Sequence, residues 1–99
     1  MNNGRRKEIE AIMARVSNLI GAINEVWDED VYEDIDDISQ NEREYFDNMP
    51  ESLQSSERGQ MAEQACEALD EAKEKYEEIK ETLLSDLQDV FDALERAKE

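Results

Sequence analysis

The 99-residue sequence has no histidine, one cysteine, one proline, three glycines and no long apolar run. Each shortage removes a class of chemistry. Without histidine there is no imidazole base, and the Glu-x-x-His motif of di-metal carboxylate bundles is missing. A single thiol, Cys66, can form neither a disulfide within the chain nor a tetrahedral thiolate metal site. Gly4, Gly21 and Gly59 are too scattered to make a phosphate-binding loop. No apolar run approaches the ~20 residues that span a bilayer. The charged first ten residues lack the apolar core of a signal peptide. The expectation is a cytoplasmic, non-enzymatic protein with no cofactor, no metal and no membrane contact.

Bases are also scarce. Eleven stand against 28 acids, for a formal net charge of -17. Proteins that track phosphates need a basic footprint, so direct nucleic-acid binding is excluded. With 38% apolar and 39% charged residues, the composition borders on that of a disordered chain. Pattern argues for a fold. Leu69, Ala72, Tyr76, Ile79 and Leu83 follow Ala62 and Ala65 at steps of three and four, and Leu87, Val90, Leu94 and Ala97 continue. Ile9, Ile12, Met13, Val16, Leu19, Ile20, Ile23, Val26 and Trp27 form an earlier stripe, extended by Val31, Ile35, Ile38, Tyr45 and Phe46.

Punctuation concentrates at residues 48–56, where Asn48 and the only proline, Pro50, precede a serine cluster. The spacing predicts an all-α fold: a long antiparallel helical hairpin, coiled-coil-like, in a single domain. One helix covers about residues 5–48, a turn 49–55, and a second helix about 56–97, capped by Ser55 or Ser56 beside Glu57. Folding at Ser52 puts Trp27 opposite Tyr76 and Tyr45 and Phe46 near Gly59, Ala62, Ala65 and Cys66. It also puts Phe91 and Leu94 near Ile9, Ile12 and Met13. A competing layout breaks the first helix near Gly21 or at Asp28, whose side chain could cap a new helix, giving three helices. The apolar face exceeds a two-helix seam, because Ile12, Leu19, Val26, Leu84 and Phe91 widen it. A homodimer, doubling the hairpin into a four-helix bundle, or a docked partner would cover the excess.

Charge is unevenly placed. Residues 1–20 sum to +2, residues 21–54 to -11 and residues 55–99 to -8. The densest run holds Glu25, Asp28, Glu29, Asp30, Glu33, Asp34, Asp36 and Asp37 with no base. An EF-hand counted from Asp28 needs glycine at its sixth place and glutamate at its twelfth, and finds Glu33 and Ser39 instead. On the second helix, Glu71 and Lys75, or Lys73 and Glu77, are spaced to pair. The run at 25–37 has no such relief, which makes those eight acids the candidate docking residues for a basic protein surface. Cys66, in a stripe of small residues, reads as a packed hydrophobe.

Residues 44–58, Glu44-Tyr45-Phe46-Asp47-Asn48-Met49-Pro50-Glu51-Ser52-Leu53-Gln54-Ser55-Ser56-Glu57-Arg58, resemble the turn of small acidic helical-hairpin proteins of bacteriophages and prophages. With the Ala/Leu/Glu-rich helix after it, the resemblance covers residues 44–94, about half the chain. It implies a phage origin, a host cytoplasmic location and a helical hairpin, and it transfers no functional residue. Acidic phage proteins of this kind look like inhibitors that occupy the nucleic-acid groove of a host protein. Two functions are therefore expected: a nucleic-acid mimic acting through residues 25–37, or an assembly module whose acids only confer solubility.

Overall fold

Short polar side chains start three of the four helices. The Asn2 side chain accepts from the Arg5 amide at 2.8 Å, Asp28 from the Asp30 amide at 3.0 Å, and Ser56 from the Gly59 amide at 3.4 Å. In the computed structural model, which describes all 99 residues, the elements are α1 (Asn3–Val26), α2 (Glu29–Asp47), a single-turn α3 (Glu51–Gln54) and α4 (Glu57–Lys98). The fold is all-α and contains no strand.

The first arm is two helices, which corrects the expected continuous helix over residues 5–48. Trp27 and Asp28 leave helical geometry, with ψ of 123° and 96°. The cause is local. Asp28 caps α2, and Glu29 and Asp30 sit in its first turn, where the positive end of the helix dipole favours carboxylates. In an unbroken helix the same three acids would lie mid-helix without that compensation. The Trp27 amide still closes α1 by donating to the Ile23 carbonyl at 2.9 Å.

The turn is tighter than an open loop. Pro50 opens α3, and the Leu53 and Gln54 amides donate to its carbonyl at 2.8 and 3.1 Å. The Gln54 side chain reaches back and donates to the Phe46 and Met49 carbonyls at 3.1 and 3.3 Å. Phe46 is in the last turn of α2, and its carbonyl also accepts from the Met49 amide at 3.1 Å. Met49 is buried beneath this latch.

Two units follow from the pairing of helices. Unit 1 is Met1–Trp27 with Ile79–Glu99, and unit 2 is Asp28–Glu78. In unit 1, α1 runs antiparallel to the C-terminal part of α4: Arg6 donates from Nε to the Lys98 carbonyl at 2.8 Å, and Lys98 approaches Glu10 at 3.7 Å. Its seam is made by Met13, which is buried, with Ile9, Val16, Ile20, Leu84, Leu87, Phe91 and Leu94 half-buried. In unit 2, α2 runs antiparallel to the N-terminal part of α4, and the Tyr76 hydroxyl donates to the Asp28 carbonyl at 2.7 Å. Ala62, Cys66, Gly59 and Ser39 are buried there. Of the two large residues expected to cover these small ones, Phe46 is half-buried, whereas Tyr45 is exposed.

The seam on α4 is rotated from the stripe read in the sequence. The residues turned inward include Cys66, Lys73, Tyr76, Lys80, Leu84, Leu87 and Phe91, whereas Ile79, Leu83 and Val90 are exposed. No large apolar side chain is fully buried.

Candidate protein-docking surface

Unit 2 collects most of the charge. It holds nineteen acids and four bases, a net -15, against nine acids and seven bases, a net -2, in unit 1. α2 spans about 28 Å at ~1.5 Å per residue. Unit 2 therefore carries about one net negative charge per ~2 Å, close to the one per ~1.7 Å of duplex DNA.

A polar cluster in the seam holds this acidic pair of helices together. Ser39 is 2% exposed and donates from its hydroxyl to Asp70 at 2.6 Å. Arg43 donates to the other Asp70 oxygen at 2.8 Å. Lys73 meets Asp36 at 2.5 Å, approaches Asp70 at 3.7 Å, and lies 5.9 Å from the Tyr32 ring centroid. The Ser39 hydroxyl bond, helped by Lys73 and Arg43, holds the Asp70 carboxyl below its ordinary pKa. The bond to Asp36 raises Lys73 above the usual ammonium value. The Cys66 thiol packs under Ser39, and burial pushes its pKa up.

Two of the four bases of unit 2, Arg43 and Lys73, thus face seam carboxylates across the helix pair. The pairings on α4 differ from those expected at i, i+4: Lys73 reaches across to α2, and Lys75 lies 3.8 Å from Glu78 at i, i+3. Sequence spacing along one helix could not reveal a partner on the other.

The eight candidate acids separate into groups. Glu25 ends α1 in unit 1, and the other seven fall in unit 2. Asp28 is the α2 cap, and Asp36 is half-buried between Lys73 and the Gln40 side chain at 2.8 Å. Glu29 lies exposed in the first turn of α2. Asp30, Glu33, Asp34 and Asp37 lie exposed at steps of three and four, one outward face of α2. On α4, Glu63, Glu67, Glu71, Glu74 and Glu78 are also exposed. Sequence reasoning undervalued these, along with Ser39, Asp70 and Lys73. The available signal was a run of polar residues, Asp70 and Lys73, recurring in step with Cys66 and Leu69.

The acids do not converge on a group that could hold a metal ion. No helix is long and apolar enough to cross a membrane. An open groove of about 560 Å³ near the turn is lined by Glu42, Tyr45, Glu57, Arg58, Met61, Ala62 and Ala65. No protein family, curated protein or solved structure matches the chain.

Proposed function

We propose that this chain is a non-enzymatic acidic interaction protein that docks unit 2 onto a basic, nucleic-acid-binding surface of another protein and keeps nucleic acid away from it. The observation that carries the reading is the net -15 of unit 2, spread at about the linear charge density of a duplex. Crowding of this kind opposes folding through self-repulsion, and a basic partner relieves it. The outward face Asp30, Glu33, Asp34 and Asp37 is the central contact, with Glu67, Glu71 and Glu74 extending it. A phage origin, on the resemblance of residues 44–58, and a host cytoplasmic location belong to the same proposal.

The test compares the chain with the triple variant Asp30→Asn/Asp34→Asn/Asp37→Asn as immobilised bait in cell lysate. The proposal expects capture of basic proteins at low salt, release above ~0.5 M as screening shortens to a few ångströms, and weaker capture by the variant. Capture that is equal for both baits, or indifferent to salt, refutes it. An assembly role is the second reading, favoured by the exposed Ile12, Leu19, Val26, Ile79, Leu83 and Val90 of unit 1.

A further inference from the structure

Unit 1 carries an apolar face that its own seam does not cover. Apart from Met1, each exposed large apolar residue immediately precedes a seam position: Ile12 before Met13, Leu19 before Ile20 and Val26 before Trp27 on α1. On α4, Ile79 precedes Lys80, Leu83 precedes Leu84 and Val90 precedes Phe91. One residue is a ~100° rotation about a helix axis. The same rotation on two antiparallel helices brings both rows to the same side of the pair. The six side chains therefore form one composite face, the inner face of half a four-helix bundle.

The polar residues within these rows identify the occupant. On α1 the row is Ile12, Arg15, Leu19, Ala22 and Val26, with a single charge, Arg15. On α4 it is Ile79, Leu83, Asp86 and Val90, with a single charge, Asp86. Arg15 and Asp86 are both exposed, and neither has a hydrogen-bond or ion-pair partner within the chain. A face with one unpaired cation and one unpaired anion is self-complementary under a two-fold axis, where residue i meets j and j meets i.

We infer that this face binds a second copy of the same chain, with Arg15 of each copy beside Asp86 of the other. Area agrees. At exposures of 38% to 77%, the six side chains leave on the order of 500 Å² open. A pair covers about 1,000 Å², the lower size of a specific interface. Charge agrees too, because unit 1 is nearly neutral, at a net -2. The inference uses none of the residues of the acidic docking face, so either can fail alone.

Sedimentation velocity of the full chain at physiological ionic strength, ~0.15 M, is the test. The wild type should sediment at twice 11.5 kDa in the micromolar range. Arg15→Glu and Asp86→Arg each place two like-charge pairs in the homodimer and should weaken it about tenfold. Mixing the two variants in equal amounts re-forms both opposite-charge pairs, so association should recover. Circular dichroism checks that each variant keeps its helices. A wild type that stays monomeric to sub-millimolar concentration, as it would if a foreign helix or nothing covers the face, overturns the inference. So do single variants that associate as well as wild type, or a mixture no better than its components.

Discussion

Replacing Gly59 with alanine should destabilise the chain, although the same change at Gly21 should stabilise it. Both glycines are helical, and alanine is favoured over glycine in a helix interior by about 1 kcal/mol. At Gly21 an added Cβ meets nothing within 4 Å, so that gain is realised. At Gly59 the Cβ would lie 2.2 Å from the Gln54 carbonyl oxygen and 2.5 Å from the Leu53 carbonyl oxygen. These are backbone atoms of α3, itself tied to α2 through the Gln54 side chain, so they cannot swing aside. Overpacking of this kind costs about 1–3 kcal/mol, and the smaller propensity gain of a first-turn position offsets only part of it. The net expectation is a loss of about 2 kcal/mol, a fall in Tm of roughly 8–15 °C for a chain this size. Gly21→Ala should rise by roughly 4–8 °C. Thermal unfolding followed by circular dichroism reads both, at one protein concentration, because Tm would depend on concentration if the proposed dimer forms. A Gly59→Ala chain as stable as Gly21→Ala would show that the turn does not pack as described.

Three further outcomes follow from the seam and the caps. Asp28→Ala should cost about 1 kcal/mol in chemical denaturation, while Asp28→Asn, which keeps a capping oxygen, should cost much less; equal losses would remove the cap from the explanation. Asp70 has a lowered pKa in the fold, so its contribution is present above its unfolded value near ~4 and is lost as pH falls through the folded value. The stability of wild type relative to Asp70→Asn should therefore decline below about pH 4, and an advantage that grows with acid contradicts the Ser39–Asp70 assignment. Cys66, 3% exposed with a raised pKa, should react with an aromatic disulfide reagent far more slowly in the native chain than in denaturant. Equal rates at mildly alkaline pH would place the thiol outside the seam.

The hairpin was legible in the sequence because one proline and a serine cluster interrupt two long helical stripes. Ser56 as a cap and the small residues packed at the turn were legible for the same reason, being local in the chain. The break at Asp28 was visible as a capping residue followed by two acids, but its competition with an unbroken stripe through Val26 and Val31 depends on tertiary pairing. The inward face of α4 was misjudged by about one residue. Ile79, Leu83 and Val90 belong to a second apolar row, and the true seam admits the half-buried Lys73 and Lys80, with Lys73 held there by Asp36 and Asp70. Periodicity cannot separate two adjacent rows on one helix. The acidic run at 25–37 was found as a run, yet only the fold distinguishes Asp28 and Asp36, which hold the structure, from Asp30, Glu33, Asp34 and Asp37, which face outward.

Unit 2 is proposed to occupy a surface built for nucleic acid. The direct measurement is competition: a basic protein captured by the chain is purified, and duplex DNA is titrated against the complex at fixed ionic strength. The account predicts that DNA displaces the chain, and that the Asp30→Asn/Asp34→Asn/Asp37→Asn variant is displaced at lower DNA concentration. A ternary complex, with DNA and the acidic chain bound together at full affinity, would contradict it.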